Sequence, residues 1–406
     1  MASAQESDHL DPLKDLRSRF TLPDGLIYLD GNSLGVLPTG LGDRMSEVIE
    51  RQWGERLVRG WNDAGWIDLS SHVAGKIAAL VGTGANCVAV GDSTSINIFK
   101  VLSAALSLRP SRRVILSDKN NFPTDLYVAD GLTRLIGQGY ELKLATAETM
   151  TDALDDSVAA VLLTEVDYRT GERYDMKAMT RHIHDKGALA IWDLCHSAGA
   201  FPVHLDAAGA DFAIGCGYKY LNGGPGAPAF LYVAQRHLED ITPALSGWMG
   251  HDAPFAFTTD YRPAEGIGRM KVGTPPILSL SALNIALDAF DGVDMSLLRR
   301  KSQELCDRFI FEVEHRCPEL ELVTPRDRAR RGSQVSFRHP EGYAIMQALI
   351  ANGVIGDFRA PDILRFGMTP LYLRHIDILA AAEILERVMQ GRLWDREEYR
   401  ARAKVT

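Results

Sequence analysis

Three features of this sequence predict an α/β fold: a mostly parallel central sheet, with a smaller α+β C-terminal domain. Short apolar runs recur through the middle of the chain, and segments with helical apolar spacing separate several of them. Runs that are apolar throughout, rather than alternating, suit strands covered on both faces by helices. After about residue 285 the texture changes to fewer, more polar strand candidates between long amphipathic stretches.

Within the first sixty residues the one clear strand candidate is LIYLD (26–30), so this segment reads as an arm that packs against either domain. CVAVGD (87–92) reads as a strand leading into the helical SINIFKVLSAAL (95–106). RRVILSDK (112–119) is the next strand, before a helix beginning near Asp125. ELKLATA (141–147), VAAVLLTEV (158–166) and ALAIWDL (188–194) follow, with MKAMTRHIHDKG (176–187) as helix between the last two. ADFAIGC (210–216) and APAFLYV (227–233) complete the set. The C-terminal part offers SQVSFRH (333–339), a helix over 341–353, ILRFGM (363–368) and a closing helix over 375–391. The expected division is an N-terminal arm (1–60), a large domain (61–285) and a small domain (286–406). RDRARRG (326–332) reads as a solvated basic turn before a strand.

Composition narrows the function. The chain has 406 residues, 46% hydrophobic and 24% charged, which excludes a disordered or fibrous protein. Forty-four basic against 53 acidic side chains give a net charge of −9, which disfavours binding to nucleic acid. Five scattered cysteines without a C-x-x-C pair support neither a zinc ribbon nor a disulfide scaffold. The polar opening residues lack the apolar core of a signal peptide, and no stretch approaches the ~20 apolar residues that cross a bilayer. The expectation is a cytoplasmic protein with no membrane or nucleic-acid partner.

The densest cluster of chemistry lies in AIWDLCHSAGAFPVHLDAAGADFAIGCGYKYLNGGPG (190–226). Asp193 ends an apolar strand and should emerge at the carboxyl edge, where α/β sheets place ligands. His196 follows it, and Lys219 sits past the next apolar run beside Tyr218. Glycines 223, 224 and 226 would let the backbone approach something closely. Singly, each has an ordinary explanation: a helix cap, a solvated lysine, a satisfied histidine. STSIN (93–97) opens a helix after a strand, so Thr94 and Ser95 present hydroxyls beside free N–H groups, an arrangement that suits either a phosphate or a plain N-cap. No P-loop occurs, GTGANC (82–87) lacks the third glycine of the dinucleotide fingerprint, and His182 and His184 do not share a helix face for a metal. A phosphate cup, a strand-end carboxylate and a downstream lysine match the needs of pyridoxal 5'-phosphate, which requires an amine for its aldehyde and an acid at its ring nitrogen.

On YLDGNSLG (28–35), FPTDLY (122–127), WDLCHSAGA (192–200), GYKYLNGGPG (217–226), SGWMGH (246–251), GTPPI (273–277), RRGSQVSF (330–337) and RFGMTPLY (365–372), the chain closely resembles the bacterial kynureninases. These are pyridoxal-phosphate enzymes of the aspartate-aminotransferase fold (fold type I), and the motifs span nearly the whole chain. The resemblance implies that Lys219 forms the Schiff base and moves the substrate Cα proton. Asp193 would bond to the pyridine nitrogen, with His196 and Asp125 beside the ring and Phe122, Pro123 and Thr124 along it. Thr94, Ser95 and Tyr218 would hold the phosphate, and Thr164 would touch the cofactor. Trp248 and Thr274 would reach the site of the other subunit in a homodimer. Arg365 would clamp the substrate carboxylate, with Asn32, Ser33 and Trp61 as further substrate contacts.

The implied reaction is hydrolytic Cβ–Cγ cleavage of L-kynurenine to anthranilate and L-alanine, in tryptophan catabolism and the kynurenine route to NAD. Tyr218 or the cofactor phosphate would relay the proton that hydrates the ketone. Two departures stand out: Met249 replaces a common Phe, and Thr274 stands where vertebrate relatives have Asn, so that if this position contacts the ring substituent 3-hydroxykynurenine should be the poorer substrate. Cysteine desulfurase is the competing reading within the fold, and it requires a mobile cysteine in the small-domain half. No cysteine follows Cys317, and Tyr218 rather than His precedes Lys219. A non-catalytic binding protein would have no need to keep both Lys219 and Asp193.

Overall fold

A computed structural model describes residues 3–402. Seven strands form the large sheet: β1 (Val88–Val90), β2 (Val114–Asp118), β3 (Glu141–Ala145), β4 (Val158–Thr164), β5 (Leu189–Asp193), β6 (Phe212–Gly215) and β7 (Phe230–Val233). Their spatial order is β1-β7-β6-β5-β4-β2-β3. Strands β3, β2, β4, β5 and β6 run parallel, while β7 is antiparallel to both β6 and β1. Every residue of β2, β4, β5, β6 and β7 is buried, which explains why they are apolar except toward their carboxyl ends. Strand β3 lies at the edge, with Glu141 and Lys143 exposed and guarding it against pairing with another chain. Helices α1 (Thr94–Ser107), α2 (Pro123–Ile136) and α3 (Met176–Asp185) connect and cover the strands.

A second sheet of four antiparallel strands follows: β8 (Glu321–Leu322), β9 (Gln334–Arg338), β10 (Asp357–Arg359) and β11 (Ile363–Gly367), in the order β8-β9-β11-β10. Helices α4 (Met295–Arg316), α5 (Gly342–Ala351) and α6 (His375–Gln390) pack with it. The N-terminal arm divides. Residues Ile27–Tyr28 pair in parallel with Val354–Ile355, and the Asp8 carboxylate accepts the opening N–H groups of α6 at 2.6 and 3.0 Å. The helix Leu41–Glu47 packs instead on Ile277–Leu287 beside the large sheet.

The basic turn at 326–332 departs from its solvated reading. Arg328 and Arg330 are exposed, but Arg331 is 1% exposed and its guanidinium pairs with Asp307 of α4. A cation at that depth requires a carboxylate, and α4 supplies it.

Candidate active site

Because β5 is buried along its length, Asp193 surfaces at the carboxyl edge, in register with Thr164 of β4 and Ile214 of β6. Its carboxylate accepts the Cys195 N–H at 2.6 Å. Asp125 comes to the same place from the first turn of α2, which Pro123 opens with a preset backbone. Burial, and then the charge of Asp193, push the Asp125 carboxyl well above its ordinary range. Asp193 is also raised by burial, but the Cys195 contacts, Lys219 and Asp125 all act the other way. Both carboxyls are thus raised, Asp125 the more strongly, so a proton shared by the pair rests preferentially on Asp125.

Lys219 Nζ lies 2.9 Å from His196 Nε2 and about 6 Å from the rings of Phe122 and Tyr218. His196 Nδ1 is 3.1 Å from Gln334 Oε1, while Gln334 Nε2 donates to the Tyr168 carbonyl at 3.2 Å. This network puts the imidazole proton on Nδ1 and turns the Nε2 lone pair toward the lysine. Burial, Lys219 and Arg365 all hold the imidazole well below its ordinary pKa, so it is neutral. The phenol of Tyr218 is pushed upward by burial, then by the Cys216 and Cys195 sulfurs and Asp193, and stays protonated.

At the start of α1, Ser93 caps the helix by accepting from the Ile96 N–H at 3.4 Å. This leaves the N–H groups of Thr94 and Ser95 without helical acceptors. Thr94 Oγ1 lies 4.0 Å from Cys195 Sγ, which ties this turn to the segment after Asp193. Thr164 donates to Asn121, whose amide also donates to Ser117 at 3.2 Å and whose oxygen takes the Phe122 N–H at 2.8 Å. Asn121 thus sets both Thr164 and the Phe122–Asp125 segment. Pro123 and Thr124 are half-buried at the opening of α2.

The loop YLDGNSLG closes the other side. Gly35 donates to the Tyr218 carbonyl at 2.8 Å, and a Cβ at Gly35 would lie 2.4 Å from the Lys219 carbonyl oxygen, so only glycine fits there. Gly223 likewise presses on its own chain, at the Gly217 carbonyl and Leu283, rather than on a ligand. Asn32 is fully buried against Gln334 at 3.5 Å. Ser33 donates to Asp357 at 2.5 Å and accepts from Arg365 at 2.8 Å. The paired face of the Arg365 guanidinium is turned on Asp357, and Arg365 also donates to the Tyr168 carbonyl at 2.7 Å.

Three expected residues stand apart from this cluster. Trp61 packs edge-on against Trp66 at 5.9 Å, and Trp248 meets Phe255 and Phe257. Thr274 lines a separate cavity of about 40 Å³ with Met249, Asn97 and Lys100. Sequence reasoning missed Asn121, Tyr168, Gln334, Asp357 and Arg359. No signal in the sequence singled out Gln334, which takes a polar position in the alternating strand QVSFR. Among the described residues no group of three or more His, Cys, Asp or Glu is placed to hold a metal, and no helix is long and apolar enough to cross a membrane.

The gathered groups fit pyridoxal phosphate: an amine beside a neutral imidazole, a buried carboxylate with a second acid whose Oδ2 has no protein partner, and a helix start with open donors. In solved structures the same fold recurs at 18% identity in a cysteine desulfurase from Thermococcus onnurineus (TM-score 0.79, covering 93% of this chain and 98% of that one). A cysteine desulfurase from Escherichia coli is similar at 17% identity (TM-score 0.76, 93% and 98%). All five cysteines here are buried, so none is placed as an exposed sulfur acceptor. Residues 298–385 match the kynureninase C-terminal domain. The chain is 56% identical over 385 residues to a kynureninase from Deinococcus radiodurans, covering 93% of each. It is 51% identical over 406 residues to one from Pseudomonas fluorescens, covering 98% of each. Site chemistry and full-length similarity converge, and the chain belongs to the kynureninase family, pyridoxal-phosphate-dependent hydrolases acting on a carbon–carbon bond.

Proposed function

We propose that this protein hydrolyses the Cβ–Cγ bond of L-kynurenine to anthranilate and L-alanine, and cleaves 3-hydroxykynurenine more weakly. One observation carries the reading: the Lys219 amine faces a neutral His196 at the sheet edge that also carries Asp193 and Asp125. Pyridoxal phosphate, when bound, supplies the electron sink that lets charge leave the substrate Cα. Lys219 would be the amine that holds it, and its Nζ would be the group placed to move a proton at the substrate Cα. The neutral His196 accepts a hydrogen bond from that amine without adding a competing cation. Asp193 would hold the ring nitrogen protonated, and Asp125, the more strongly raised of the two acids, would favour the ionised form of Asp193. Tyr218, a phenol held protonated, is a donor and relay for the hydration of the ketone rather than a resting base. Thr94, Ser95 and Thr164 orient the phosphate and ring, while Asn32, Ser33 and Arg365 face the substrate.

The active unit in this reading is a homodimer. Trp248, Phe255 and Phe257 are exposed and touch one another, an aromatic face suited to a second copy, through which Trp248 and Thr274 serve the partner's site. The large domain (61–285) carries the cofactor, the small domain (286–406) and the arm (1–60) carry substrate contacts, and the reaction belongs to cytoplasmic tryptophan breakdown. Borohydride reduction of the holoenzyme followed by peptide mapping should label Lys219, and L-kynurenine should yield fluorescent anthranilate. A label on another lysine, or no anthranilate, overturns the reading.

A further inference from the structure

Arg365 has few donors left to offer. A guanidinium carries five N–H groups. Nε and Nη2 bind Asp357, Nη2 also reaches Ser33, and Nη1 reaches the Tyr168 carbonyl, which leaves a single Nη1–H. Its side chain is 2% exposed. One spare donor cannot form the two parallel bonds by which arginine grips a carboxylate.

A second guanidinium converges on the same point. Strand register pairs Asp357 with Arg365, so Arg359, two residues on, projects from the same face of β10. Arg359 Nη2 lies 2.7 Å from Asp357 Oδ2 and 3.3 Å from Ser33 Oγ, and Nη1 donates to the Phe358 carbonyl at 2.9 Å. Its Nε–H and one Nη1–H have no protein acceptor among the described residues. With 31% of its side chain exposed, Arg359 sits on the open side of Arg365. Burial, and then the charge of Arg365, lower its pKa, so two like charges are held close together. Arg359 is also near enough to depress His196, the partner of Lys219. Two guanidiniums face the carboxylate of Asp357 and Asp30, whose carboxyl burial raises to about 7, so while Asp30 is protonated there is room for one more negative charge.

We propose that Arg359 is a substrate-binding residue, which shares the α-carboxylate with Arg365 so that each guanidinium contributes its unused donors. The proposal rests on the functional reading above and deepens it.

The test uses holoenzyme and two amines, L-alanine and ethylamine, which differ by the carboxylate, with cofactor absorbance as the readout. Arg359→Gln should weaken L-alanine about tenfold or more, the loss of roughly one charge-assisted contact. Ethylamine binding should not change. The KM for L-kynurenine should rise in parallel while kcat stays within about threefold. Arg359→Lys, which keeps the charge but not the fork, should recover part of the loss. Unchanged L-alanine affinity in Arg359→Gln overturns the proposal, and so does equal weakening of both amines. Wild-type protein that neither binds L-alanine nor releases anthranilate overturns the functional reading itself.

Discussion

Asp125 and Asp193 are chemically alike and both buried, but only Asp193 has the Cys195 contacts that favour its ionised form, and on the proposed roles the two do opposite work. An amide is a fair substitute for a protonated acid but not for a carboxylate. Asp125→Asn should therefore retain the cofactor absorbance and turn over within about threefold of wild type, whereas Asp193→Asn should lose roughly a hundredfold. Absorbance spectra and anthranilate release check both. Asp30 adds a pH dependence. Burial and then Asp357 raise it to about 7, with Arg365 and Ser33 opposing, and Tyr28, Arg359, Tyr220 and Tyr372 are also within electrostatic reach. Below that pH Asp30 is neutral and the arginine pair keeps a spare positive charge; above it Asp30 ionises and cancels that charge. The KM for L-kynurenine should rise through about pH 7, and Asp30→Asn should flatten the rise. Lys219, His196 and Asp193 were legible because they crowd one short stretch at strand ends. Gln334, Asp357 and Arg359 were not, because they arrive from another sheet and look like ordinary strand residues until the fold brings them in.

Asp211, just ahead of β6, is the anchor of the sheet's opposite edge. It receives His184 and His237 at 2.7 Å each, Arg236 at 2.5 Å and the Ala190 N–H of β5 at 2.7 Å. Burial alone would raise its pKa, yet the hydrogen bonds from His184, His237 and Ala190 hold it well below the ordinary range. A depressed carboxyl stabilises the fold above its unfolded pKa of about 4, and that contribution fades as the pH falls below it. Asp211→Asn should cost about 2 kcal/mol at neutral pH, less than a fully buried pair because His184 and Arg236 are over a third exposed. The loss should shrink in acid, and thermal melts at two pH values check it. At this scale the buried strands were readable from their apolar runs. The 22-residue α4 was not, because its inner face carries Lys301 and Arg308, each buried against a partner: Lys301 on Asp11 at 2.8 Å, Arg308 on His375 at 3.2 Å. These paired cations break the apolar stripe that marks a helix. Strands β8 and β10, two and three residues long, hold too few positions to show alternation.

For the whole molecule the testable matter is shared sites. Co-expressed Lys219→Ala and Trp248→Ala chains, each inactive alone, should regain about a quarter of wild-type activity, because a random mixture of two-fold dimers leaves one site in four with both groups. No recovery would mean that each chain works with its own Trp248. The loop from Tyr28 to Gly35 has a further consequence. At one end Ser33 touches both arginines, and two residues later Gly35 is wedged beneath the lysine backbone. On the proposed roles of Lys219 and the arginines, so short a tether would behave as a ruler, fixing the gap between the point where a substrate's nitrogen is seized and the point where its acid group is received. A compound with one methylene more between those two functions would overshoot the gauge, and discrimination against β-amino acids would come from backbone length rather than from any pocket wall.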